Sequence, residues 1–176
     1  MNTQHLDLGR LKKALIYASK TLLGGLICWY GLLCLGIDNP IWAVITVIIV
    51  SDADIQATLN SATARTINTT VGCAVGLATM LLFGYSPQAG VVAAGFTVFI
   101  VLLIHRYPSN WRLAPATVVI LMDAGRLAAD YHQGLFYALL RFGEIVVGCA
   151  VAIALAWVYS RIFAQGPQAL DLGNQD

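Results

Sequence analysis

Apolar runs and polar interruptions divide this chain into six segments. The first, from about Ala14 to Gly36, is long enough to cross a bilayer, with Lys20 near its start, where a long stem can snorkel toward the headgroups. The second, Pro40 to Ser51, is apolar from Ile41 to Val50 but short, and a polar stretch follows it to Asn68. No Asp, Glu, Lys or Arg occurs between Arg65 and Arg106, and Gly84-Tyr85-Ser86-Pro87 breaks that run into two segments. The fifth segment, Leu113 to Met122, is again short, and the sixth runs from about Arg141 to Ile162. The pattern predicts an all-α polytopic membrane protein. Residues 1–13 form an N-terminal segment, 14–163 a domain of six transmembrane helices, and 164–176 a polar tail.

The two halves of the membrane domain resemble each other. Val71-Gly72-Cys73-Ala74-Val75 recurs as Val147-Gly148-Cys149-Ala150-Val151, and Arg65 with Arg141, and Asp54 with Asp130, share the same offset of 76. Gly24 with Gly95, Asn39 with Asn110, Thr46 with Thr117, and Asp52 with Asp123 share an offset of 71. Repeat one then covers about residues 14–85 and repeat two about 86–163. Three segments per copy is an odd number, so the second copy enters the membrane from the opposite face. The expectation is an inverted three-plus-three repeat with short second and fifth helices, an architecture whose sites lie at the repeat interface.

Those two short segments matter because a helix needs about 20 residues to cross about 30 Å of hydrocarbon. Each ends near an aspartate, Asp52 or Asp123. Backbone that stops being helical within the membrane must be buried in protein or line a cavity. The segment after each carries a polar stripe at helical spacing: Asp54, Thr58, Ser61, Arg65, Asn68, Thr69 and Gly72, then Asp130, Gly134, Tyr137, Arg141, Glu144 and Gly148. Such a stripe faces the bundle or an aqueous path. Arg65 and Arg141 can grip a carboxylate in bidentate fashion. Glu144, one turn after Arg141, can pair with it or exchange a proton. Asp52, Asp54, Asp123 and Asp130 are candidates for proton transfer and equally for capping helix starts. Trp42, beside Asn39-Pro40, is placed to stack on a ligand or to pack.

Composition narrows the function classes. Hydrophobic residues make up 59% and charged residues 11%, a balance that excludes an ordinary soluble enzyme. The net charge of +1 gives no basic field for nucleic acid. Of the ten basic residues, eight (Arg10, Lys12, Lys13, Lys20, Arg65, Arg106, Arg112 and Arg161) fall on the side of the termini, which places both termini in the cytoplasm. Cys28, Cys34, Cys73 and Cys149 lie singly in apolar runs and read as packing residues. No metal constellation, cofactor motif or nucleophile-base-acid set is visible, so neither metal, cofactor nor enzymatic activity is expected.

The run Asn39-Pro40-Ile41-Trp42-Ala43-Val44-Ile45-Thr46-Val47, with Arg65, Asn68-Thr69 and Gly72 after it, resembles the fusaric acid resistance family, also called aromatic acid exporters. That family shows a Pro-x-Trp-Ala-x-x-Thr-Val run and a later Arg-x-x-Gly-Thr-x-x-Gly stretch; Asn68 stands here where the family usually has Gly. The resemblance implies export of aromatic or other small organic acids across the bacterial inner membrane, driven by the proton gradient. Substrate contacts would fall on Arg65, Arg141, Trp42, Asn68 and Thr69, and proton coupling on Glu144, Asp52, Asp54, Asp123 and Asp130. Many members carry a large cytoplasmic domain or a duplicated membrane unit. This sequence shows neither, which implies that it pairs with itself or with a membrane partner. Two other readings stay open from the residues: a non-transporting subunit that assembles with a partner, and an oligomeric anion channel.

Overall fold

The computed structural model describes residues 8–52, 54–84, 86–104, 110–127 and 131–163. These residues form six helices and, among the described residues, no strand: α1 (Leu8–Cys34), α2 (Ile41–Val50), α3 (Ile55–Phe83), α4 (Pro87–Leu103), α5 (Leu113–Leu127) and α6 (Tyr131–Phe163). Local chemistry sets several of the boundaries. Gly36 takes φ +82° past the end of α1, and the Gly36 and Ile37 N–H groups donate to Leu33 and Leu32 carbonyls, closing the last turn. The Asp54 carboxylate accepts from the Gln56 and Ala57 N–H groups and starts α3. Gly84, at φ +69°, ends it. Ser86 then caps α4 by accepting from the Ala89 N–H at 3.0 Å, with Pro87 in the first turn, where its missing N–H costs nothing.

Three helices are long and apolar enough to cross a membrane, over Ala14–Cys34, Ile55–Phe83 and Leu135–Ile162, and the other three are shorter. The chain is a multi-pass helical membrane protein. Several expected boundaries move. The sixth helix begins at Tyr131, ten residues before Arg141, and α5 continues past Met122 to Leu127. Both errors have one cause. A charge does not end an apolar segment here, since Arg141 and Asp123 each lie inside a helix. Asp123 therefore caps no helix start. Lys20 does not snorkel outward either: it is 4% exposed, and its ammonium donates to the Asp52 carbonyl at 2.7 Å.

Helix pairing follows a two-fold pattern. As α1 packs on α2, so α4 packs on α5; as α2 packs on α6, so α5 packs on α3; and α1 meets α6 as α4 meets α3. The closest approaches repeat at residue level. A Cβ added to Gly72 would lie 2.5 Å from the Ala114 carbonyl oxygen and 2.6 Å from Thr117 Cβ. A Cβ added to Gly148 would lie 2.6 Å from the Ala43 carbonyl oxygen and 2.8 Å from Thr46 Cβ. Only a hydrogen fits at either position, which lets two backbones touch where lipid offers no hydrophobic drive to bring helices together.

The short helix α2 ends within the depth of its neighbours. Val50 packs in a cluster with Ala152 of α6, and α6 continues from there to Phe163. The freed backbone is satisfied by protein. The Ser51 N–H donates to the Val47 carbonyl, the Asp52 N–H to Thr58 Oγ1 at 3.2 Å, and the Asp52 carbonyl takes the Lys20 ammonium. Threonine hydroxyls along α3 donate to the carbonyl four residues back, so they carry no unmet polarity into the bilayer. Outward-facing Leu22, Leu82, Phe83, Val92, Phe99, Leu139 and Ile162 are exposed, as side chains against lipid must be.

Candidate functional site

A cavity of about 210 Å³ lies between the two short helices. Trp42, Ile45 and Ile49 of α2 form one wall, and Leu113, Ala116, Thr117 and Ile120 of α5 the other. Arg65 from α3 and Arg141 from α6 complete it, together with Ile145. A second cavity of about 590 Å³ shares Trp42, Ile120 and Arg141 with the first and runs outward past Gly90, Val91, Asp123 and Ala124.

The arginines reach this space because their helices present a polar stripe inward. On α3, Thr58, Arg65, Asn68, Thr69 and Gly72 are all buried. Arg65 is 4% exposed, and its Nε has no hydrogen-bond partner among the described residues. Arg141 Nη1 lies 3.2 Å from Glu144 Oε1, and its guanidinium sits over the Trp42 ring at 5.5 Å. The Arg141 Nε is likewise buried with no partner among the described residues. Planar guanidinium over indole is a favourable pairing that leaves in-plane donors other than the one bonded to Glu144 for an oxygen ligand.

Glu144 is 1% exposed and holds two things at once. Besides the Arg141 pair, its Oε2 accepts from the Trp42 N–H at 3.0 Å. Trp42 stands in the first turn of α2, where backbone N–H groups have no helical acceptor, and the side-chain cap that helix would otherwise lack comes from α6. The carboxylate thus fixes the start of the short helix and the position of Arg141 together.

The remaining expected residues divide. Asp123 is exposed and lines the larger cavity. Asn68 and Thr69 are fully buried but line neither cavity; the Asn68 amide donates to the Ala64 carbonyl at 2.8 Å and the Thr69 hydroxyl to the Arg65 carbonyl at 2.9 Å. They sit behind the site rather than in it. Asp54 caps α3 and is exposed, away from both cavities. Asp52 sits with Lys20, Tyr17 and Thr58 at the end of α2. Asp130 lies outside the described residues. Among the described residues no group of His, Cys, Asp or Glu could hold a metal ion.

Two contributions were missed. The aliphatic walls Ile45, Ile49 and Ile120 read as ordinary core from periodicity. Lys20 carried a usable signal: it shares the four-residue spacing of Gly24, Cys28 and Leu32, all buried along one face of α1.

The arrangement offers two guanidinium groups in a concave space with apolar, partly aromatic walls, a setting that fits a small organic anion. Residues 22–155 match the fusaric acid resistance protein-like family, and the match takes in both short helices and both arginines. The chain belongs to this family. Comparison with curated proteins and with solved structures gives no match. Membership of the fusaric acid resistance protein-like family places the chain among membrane transporters of small organic acids at the level of the family.

Proposed function

We propose that this protein exports small aromatic or related organic acids across the inner membrane in a proton-coupled manner, with the substrate held in the cavity between α2 and α5. The observation that carries the reading is the convergence of Arg65 and Arg141, equivalent residues of the two halves, with Trp42 on one cavity. The paired contacts of Gly72 with Ala114 and Thr117, and of Gly148 with Ala43 and Thr46, support an inverted repeat with the cavity on its axis.

In this mechanism a substrate carboxylate competes with Glu144 for Arg141. The planar ring lies against Trp42 and the isoleucine walls, and Arg65 adds a second cation. A Glu144 displaced from Arg141 is a buried carboxylate without a counterion, a costly state that taking up a proton relieves. Release of the proton restores the Arg141–Glu144 pair and expels the anion, so substrate and proton occupy the site in linked fashion. In this reading Asp123, which lines the larger cavity with Arg141, passes protons between water and the Arg141–Glu144 pair.

The test is flux of single-ring aromatic carboxylates from proteoliposomes under an imposed pH gradient. Gradient-driven flux is expected for the native protein and a loss of about 100-fold in folded Arg65→Gln and Arg141→Gln variants, the effect of removing a charged hydrogen-bonding partner worth about 3 kcal/mol. Flux that ignores both arginines would overturn the site. Flux that ignores the gradient would favour an anion channel, and no flux at all a subunit that serves a partner.

A further inference from the structure

The two halves are built alike but are not in the same state at their outer ends. Positions separated by 71 residues correspond, so Lys20 stands where Val91 stands and Asp52 where Asp123 stands. At the α4–α5 end, Gly90, Val91 and Asp123 border the cavity of about 590 Å³ that reaches Trp42 and Arg141, and Val91 is 69% exposed. At the α1–α2 end the corresponding positions are bridged by polar contacts. The Lys20 ammonium bonds the Asp52 carbonyl at 2.7 Å, the Tyr17 hydroxyl donates to the Asp52 carboxylate at 3.5 Å, and Ser19 Oγ lies 3.1 Å from the Tyr159 hydroxyl. Lys20 is as buried there as Arg65 is beside the cavity, each 4% exposed.

We infer that Lys20 and Asp52 form a latch that closes the central cavity on the side of α1 and the α2 C-terminus, while the cavity stands open past Val91 and Asp123 on the other side. This rests on the reading of the central cavity as a transport site, and adds to it which side is open and which residue keeps the other shut. The chemistry suits a latch. An ammonium bonded to a carbonyl at the end of a helix is released when that helix end shifts, because the bond depends on where the carbonyl stands. Val91, on the opposite side, offers no such bond. The two ends therefore differ in what closes them, and the lysine end is the one that polar contacts hold shut.

Thiol labelling separates this from a purely structural role for Lys20. Ser51, whose Oγ is buried next to the latch, and Ala124, on the wall of the open cavity, are each replaced by Cys in otherwise native protein. Membrane fragments with both faces accessible are treated with a water-soluble maleimide, and each cysteine is read by peptide mass spectrometry. Exposed Cys34 reports that the reagent works; buried Cys28 and Cys149 report that the fold is intact. The expected result is a labelled Ala124→Cys and a protected Ser51→Cys. Adding Lys20→Met should raise Ser51→Cys labelling about tenfold or more, as when a minor open state becomes a major one, with Cys28 and Cys149 still protected. Three results would overturn the latch: Ser51→Cys labelled as fast as Ala124→Cys before Lys20 is changed, Ser51→Cys still protected after it, or Cys28 and Cys149 labelled along with it. The assay contains no substrate. Failed flux with this labelling pattern removes the transport site and leaves the latch, and normal flux with equal labelling removes the latch alone.

Discussion

Glu144 shows how much one buried charge can organise. It is an ion-pair partner for Arg141 and the acceptor for the first turn of α2. Removing one member of a buried pair leaves the other uncompensated, which costs about 3–5 kcal/mol. Glu144→Ala loses the pair and the cap together and should lower the thermal midpoint in detergent further than Glu144→Gln, whose amide oxygen still accepts from the Trp42 N–H. The Arg141→Gln and Glu144→Gln double variant should lie closer to native than the sum of its single changes, because neither charge is left without its partner. Additive midpoints would show that the two side chains do not act on each other. The pairing was legible in the sequence from the spacing of one turn. Its second half, the cap on α2, was not, since that bond joins residues 102 apart and only the packing of α2 on α6 brings them together.

At the scale of the helix, glycines divide by what surrounds them. Gly72 and Gly148 face a neighbouring backbone at distances that no side chain tolerates, whereas a Cβ at Gly95 or Gly143 would meet nothing within 4 Å. Gly72→Ala and Gly148→Ala should each destabilise the protein, by about 1–3 kcal/mol for an overpacked contact that must shift two helices. Gly95→Ala and Gly143→Ala should be neutral or stabilising by up to about 1 kcal/mol, the gain in helix propensity. Thermal midpoints of the four variants in one detergent decide this, and equal effects would mean that the close approaches are not present in the membrane protein. The recurrence of Val-Gly-Cys-Ala-Val made these two glycines visible as a pair. What they touch was not visible, because Gly72 meets the second helix of the other half rather than its own. The true start of α6 was hidden for a related reason: a charge within an apolar stretch reads as an end unless what covers it is known, and Arg141, besides pairing with Glu144, is covered by Trp42, far away in sequence.

For the molecule as a whole, the quantity to predict is how many times the backbone crosses the bilayer, since α2, α4 and α5 are each shorter than a full span. The packing constrains the answer. Gly24 of α1 faces Val47 of α2, and Lys20 faces Asp52, so α2 runs back along α1 toward the end from which α1 began. α3 starts just beyond and returns over 29 residues. On this path α2 and its flanking residues together would make the crossing for which ten helical residues are too short. The same pairing of α4 with α5 repeats this in the second half. With six crossings both ends of the chain would lie on one face, and the basic residues near those ends predict that it is the cytoplasmic one. A reporter that is fluorescent only in the cytoplasm, fused in turn to each end, should be bright in both fusions, and one active only outside the cytoplasm should be silent in both. If the two ends reported opposite faces, one of the short helices would have to turn back within the membrane. Three crossings in one half against two in the other would break the correspondence between Arg65 and Arg141, and with it the reason for expecting both to face one substrate.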